Sequence, residues 1–175
     1  MNSCMEKSEL CGACEFQENL TVLRGINFFA QMPMEMIKVF AYLCARENVK
    51  NGDTMLYEHE DMDRAFYIIQ GKAALFRSVD GKEKRLREYG PGVFIGGLSL
   101  LGKLRQLYTL RATTDLSCLM ITRDKFTLAM ERFPELKPKV IQAMIDRIRG
   151  WEERFLIEHG DACETCIGKM GVILV

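Results

Sequence analysis

Apolar positions follow three rhythms in turn along the chain. Between Pro33 and Arg46, Met36, Ile37, Val39, Phe40 and Leu43 recur at helical intervals and predict one amphipathic helix. Proline suits its first turn, where an amide hydrogen would have no partner. From residue 47 the apolar runs shorten and turn signals separate them. Asn51-Gly52-Asp53 precedes a strand at Thr54–Tyr57, and Gly71 separates Ala65–Ile69 from Ala73–Phe76. Asp80-Gly81 joins that last strand to Lys84–Tyr89 as a hairpin. Gly90-Pro91-Gly92 breaks the chain before Val93–Ile95, and Tyr108–Ala112 and Ser117–Thr122 complete the set. Short strands so closely punctuated predict an antiparallel roll or barrel.

The last third returns to helical spacing. Phe126, Ala129, Met130 and Phe133 trace a short helix stopped by Pro134, and a longer one is expected from about Glu135 to His159. Along it Ile141, Met144, Ile148, Trp151 and Phe155 step by three, four, three and four, the spacing of a coiled-coil seam. A helix lying on its own roll would also carry an apolar stripe. Trp151 and Phe155 carry this one beyond what a small roll covers, which favours a dimer interface. The expected organisation is therefore a cysteine-containing segment at 1–22, a β-roll with flanking helices at 23–133, a long dimerisation helix at 134–159 and a cysteine-containing tail at 160–175.

Charge narrows the functional classes. Lys and Arg number 24, as do Asp and Glu, so no net field draws the chain to nucleic acid or to an anionic membrane. MNSCMEKSEL lacks the features of a signal peptide, and no apolar run reaches the roughly 18 residues of a membrane helix. Seven cysteines cannot all pair within one chain, and a cytoplasmic, thiol-reducing location is the simplest expectation. His59 and His159 lack catalytic partners, and no nucleophile or metal-hydrolase motif occurs, so the chain is not expected to be an enzyme.

Three segments, LRGINFFAQMPMEMIKVFAYLCAREN, VKNGDTMLYEHEDMDRAFYIIQGKAALF and YGPGVFIGGLSLLGKLRQLYTLRATTDLSCLMITRDKFTLAMERFPEL, resemble the cyclic-nucleotide-binding domain of the catabolite-activator superfamily. The resemblance starts near Leu23 and covers about three quarters of the chain. It implies an α+β fold: an antiparallel β-roll (a double-stranded β-helix, or jelly roll) flanked by N-terminal helices and a long C-terminal dimerisation helix. The ligand would be a cyclic nucleotide or a related small molecule, held in a phosphate-binding cassette running from Phe94 to Ala112. Gly96, Gly97, Leu98 and Ser99 stand where the family presents backbone N–H groups to phosphate, and Arg105, Gln106 and Leu107 stand at its far end.

Two positions depart from the family's pattern. Without a gap, Gly97 occupies the place of the glutamate that binds the ribose hydroxyl, and Gln106 the place of the arginine that grips phosphate. Arg105 is one residue away, but neighbours on a strand point to opposite faces. The cassette is thus expected to hold cyclic AMP weakly, or to suit a neutral or larger molecule. Trp151 falls where the family's long helix passes the pocket mouth, so it could stack on a planar ligand as well as fill the seam. Only about 15 residues follow His159, too few for the recognition helix that follows in the family's transcription factors. Output through a homodimer or a partner protein is expected, without direct nucleic-acid or membrane binding. An alternative is a redox or metal sensor in which the pairs Cys11/Cys14 and Cys163/Cys166 hold zinc or an iron–sulfur cluster. A third reading is a structural dimerisation protein with no ligand.

Overall fold

The computed structural model describes residues 3–26, 29 and 32–159. Helix α1 (Ser3–Arg24) leads to α2 (Met34–Leu43). Ten strands follow: β1 (Ala45–Val49), β2 (Thr54–Leu56), β3 (Asp61–Met62), β4 (Arg64–Gln70), β5 (Ala73–Val79), β6 (Lys82–Tyr89), β7 (Phe94–Ile95), β8 (Leu104–Arg105), β9 (Thr109–Ala112) and β10 (Leu116–Thr122). A single 3-10 turn (Gly97–Leu100) lies between β7 and β8, and α3 (Arg123–Arg132) and α4 (Leu136–His159) close the described chain.

All strand pairs are antiparallel. One sheet has the order β1-β10-β4-β7, the second β2-β9-β5-β6, and β3 pairs with β8 alone. Apart from the β5–β6 hairpin, successive strands change sheet, as in the expected roll. Between the sheets lie Leu56, Phe66, Ile68, Leu75, Leu110, Leu116 and Cys118, the inward half of each strand's alternation. Cys44 and Cys118 are buried, and desolvation pushes both thiols up to about 12, so neither ionises near neutral pH.

Two segments differ from expectation. The first residues form a 22-residue helix where sequence pattern offers only an irregular segment. Its apolar positions are few, but Leu20 and Leu23 are buried. Asn19 anchors it, donating from Nδ2 to Ala41 O at 3.3 Å and accepting from Arg46 Nε at 3.0 Å. The helix read over 33–46 ends at Leu43, because Ala45–Val49 gain a full ladder against Leu116–Met120 of β10. Partners distant in sequence override the local period there.

Gly71 makes the β4–β5 connection possible. Its φ is +86°, and a Cβ at that site would stand 2.8 Å from Leu116 Cα and 2.9 Å from Thr114 Oγ1, as well as against the Asp115 carbonyl. Aromatic rings link the helices to each other and to β7. Phe29 and Phe40 lie 5.1 Å apart, Phe40 stacks on Phe126 of α3 at 5.5 Å, and Phe29 meets Phe94 of β7 edge-on at 6.0 Å.

The chain divides into two compact units, Met1–Pro134 and Glu135–Val175. In the second, α4 buries Leu136, Val140 and Met144, spaced four apart, while Ile141, Ile145, Ile148 and Trp151 are exposed. Trp151 and Phe155 face each other with ring centroids 5.6 Å apart. Of the residues expected in the seam, Met144 is buried, while Ile145, outside that spacing, is exposed. Among the described residues no helix is long and apolar enough to cross a membrane.

Candidate functional site

The cassette is one continuous excursion from the first sheet to the second. β7 pairs with β4 through Phe66↔Ile95 and Tyr67↔Phe94, then Gly96 turns the chain with φ +85°. A side chain there would meet Met62 Cε, with Arg64 O at 2.9 Å, so the backbone approaches closely only because the residue is glycine. After it comes a single 3-10 turn, closed by Ser99 N–H donating to Gly96 O at 3.0 Å. Gly97 is half-buried and offers no carboxylate, and Leu98 is exposed. Ser99 is fully buried, with Oγ 2.6 Å from Gly96 O and 2.8 Å from Arg64 O, so its proton serves the turn itself.

At the far end, Arg105 and Gln106 have opposite fates. Arg105 is exposed on β8 and its Nε donates to His59 O at 2.9 Å. The Gln106 backbone exchanges hydrogen bonds with Glu60 O and His59 N–H, both at 2.9 Å. Its side chain is 3% exposed, and Nε2 lies 2.8 Å from Met62 Sδ. Leu107 projects outward, 70% exposed. The position that would carry a phosphate-gripping cation is therefore a neutral amide turned into the protein and engaged by a thioether.

Sequence reasoning missed Arg123, the first residue of α3. It donates from Nε to Ser99 O at 2.5 Å and from Nη2 to Met62 O, while its backbone N–H meets Asp63 O at 2.6 Å. One half-buried guanidinium thus joins the cassette turn, the end of β3 and the start of α3. No motif marks it; only the roll's closure brings residues 62, 99 and 123 together. Arg123→Ala removes two charge-assisted bonds, each worth about 1.5–3 kcal/mol when fully formed. We expect a stability loss of about 2 kcal/mol in urea unfolding and faster amide exchange over 97–101. Unchanged exchange in that segment would show that the residue does not hold the cassette.

Beside this lies a cavity of about 400 Å³ between β1, β2 and β4, lined by Glu47, Val49, Asp53, Thr54, Arg64 and Phe66 among others and by no cassette residue. Its cation is neutralised: Arg64 Nε sits 2.8 Å from Asp63 Oδ1, and that hydrogen bond holds the Asp63 carboxyl below its ordinary value. Trp151 belongs to the second unit, exposed on α4. Of the proposed thiol ligands, Cys14 is exposed on α1 with Sγ 4.0 Å from Glu18 Oε1. The Cys11 side chain, Cys163 and Cys166 lie outside the described residues. Among the described residues no group of three or more His, Cys, Asp or Glu could hold a metal ion.

Residues 46–133, half of the chain, match the family model described as the cyclic nucleotide-binding domain. The chain is 25% identical over 129 residues to the cyclic AMP receptor protein of Thermus thermophilus, an alignment that covers 73% of this chain and 59% of that one. It is 24% identical over 113 residues to the lysophospholipase nte1 of Aspergillus terreus, covering 64% of this chain but 7% of the enzyme. Among solved structures, the N-terminal domain of a transcriptional regulator from Streptomyces coelicolor superposes with a TM-score of 0.68 at 27% identity, over 77% of this chain and 95% of that one.

Proposed function

From the premise that the chain belongs to the cyclic nucleotide-binding domain family, we propose that it is a non-enzymatic, ligand-sensing regulatory module whose cassette no longer holds cyclic AMP tightly. One observation carries the reading: Gln106 is buried on Met62 Sδ where a guanidinium would be needed. A missing charge-assisted phosphate contact costs about 1.5–3 kcal/mol, or roughly ten- to a hundredfold in affinity. With Gly97 offering no side chain to a ribose hydroxyl, the loss roughly doubles. Arg105, exposed on β8 with its Nε bonded to His59 O, does not take the inward position that Gln106 holds.

Ligand reaching the 3-10 turn would act on Arg123, and through it on the start of α3, so occupancy and hinge position are one equilibrium. The exposed apolar residues Ile141, Ile148 and Trp151 of α4, which with half-buried Phe155 keep the seam's spacing, support a homodimer as the structure that reports the change. The full chain, titrated calorimetrically with cyclic AMP, cyclic GMP and cyclic dinucleotides while its mass is followed by light scattering, tests both parts. We expect a dimer and no saturable heat with cyclic AMP below about 100 μM. Micromolar cyclic AMP binding would overturn the cassette reading, and a monomer at all concentrations the dimer.

A further inference from the structure

We propose that the edge strand β6 is a docking strand for an extended acidic segment of a partner protein. β6 ends the order β2-β9-β5-β6, so among the described residues one of its two backbone edges has no strand beside it. Its charges divide by face. On the outer face every cation meets a carboxylate. Arg111 grips Glu83 through two 2.8 Å bonds, Lys72 reaches Glu88 at 3.3 Å, and Arg85 also pairs with Glu88. On the face continuous with core residues Ala73 and Leu75, the register sets Leu75 opposite Arg87, Arg77 opposite Lys84 and Val79 opposite Lys82. Lys82 and Lys84 have no carboxylate partner among the described residues, and Arg87 lies over the Tyr89 ring at 5.4 Å. Arg77 reaches only Glu58, at 3.9 Å.

Like charges directly opposite on a sheet are destabilising, and Arg77 faces Lys84 with one carboxylate, Glu58 at 3.9 Å from Arg77, to relieve them. Lysines on an edge strand ordinarily prevent pairing with another copy of itself, since cation would meet cation. For an acidic strand the sign of that barrier reverses. A segment added beside Lys82–Arg85 would set alternate side chains next to Lys82 and Lys84 on the unneutralised face, while its backbone completes the ladder. Leu86 is the extra residue of a β-bulge, since Arg87 pairs with Leu75 and Arg85 with Phe76, and it limits the added strand to the hairpin's outer half. The chemistry selected is thus acid at every second position, not acid in bulk.

Two labelled peptides of about a dozen residues test this, one alternating Glu with Thr and Val, the other with the same composition and its Glu in one block. Each is titrated against the full chain by fluorescence anisotropy, with amide exchange followed over β6. We expect the alternating peptide to bind at least tenfold more tightly, to weaken steeply toward about 0.5 M salt, and to protect β6 amides. Lys82→Glu with Lys84→Glu should weaken it at least tenfold, and the Gln pair by less; both sites are exposed, and circular dichroism verifies the fold. Equal binding of the two peptides, no binding, unprotected β6 amides or an undiminished charge-reversed variant would each overturn the proposal. So would tighter binding of a single-stranded oligonucleotide of equal charge, which would assign the surface to polyanions at large.

Discussion

Cyclic AMP affinity should rise by about two orders of magnitude when Gly97→Glu and Gln106→Arg are made together. Glutamate at 97 restores an acceptor for a ribose hydroxyl at the first residue of the 3-10 turn. Arginine at 106 is too large and too strongly charged to stay on Met62 Sδ, where the 3%-exposed amide now sits. It must turn toward the cassette opening, where bound phosphate would neutralise it. Gln106→Arg alone should deliver about tenfold, and the unliganded single variant should lose about 1–3 kcal/mol of stability from the vacated contact. Calorimetric titration of the folded double variant decides the matter. Affinity equal to that of the natural chain would mean that the cassette is closed by its backbone path and not by its side chains.

Gly71→Ala should cost about 3–4 kcal/mol in urea unfolding. Left-handed φ accounts for about 1–2 kcal/mol of this, and collision supplies the rest. The added Cβ would meet the Asp115 carbonyl and Leu116 Cα, backbone atoms that cannot rotate away. Gly52→Ala is the control. Its φ is +91° but nothing lies within 4 Å of a Cβ there, so only the conformational cost of about 1–2 kcal/mol should appear. Equal losses at the two sites would show that the crossing of β4–β5 over the 114–116 turn is looser than its distances indicate.

What the sequence made legible follows from the range of the forces involved. Asn51-Gly52 and Asp80-Gly81 act locally, and both turns stand where these pairs predict them, with Gly52, Asp80 and Gly81 at positive φ. The strands between them keep the inward alternation of Leu56, Phe66, Ile68 and Leu75. The two-residue strands β3 and β8 carry no such signal, because only the approach of Asp61 to Arg105 and of Met62 to Leu104 creates them. α1 was illegible for a related reason: its anchors are a buried asparagine and two leucines that acquire meaning against Ala41 and Arg46. At the cassette, the missing carboxylate and guanidinium could be read from the chain. That Gln106 turns inward onto Met62, and that Arg123 holds Ser99, could not, since each contact joins residues at least 24 positions apart.

The linked phenylalanine rings of α2, α3 and β7 bear on how such a module responds. Phe40 joins α2 to the Phe126 ring of α3, and Phe29 touches both Phe40 and Phe94, two residues before the cassette glycine. Flat, stiff discs in close contact resist shearing by fractions of an ångström and instead hop between alternative interlocked seatings. On the reading proposed above, movement passed along these rings would reach α3 as a discrete step, so each subunit would answer occupancy in an on-or-off manner and any gradation in the output would come from the proportion of subunits that have switched.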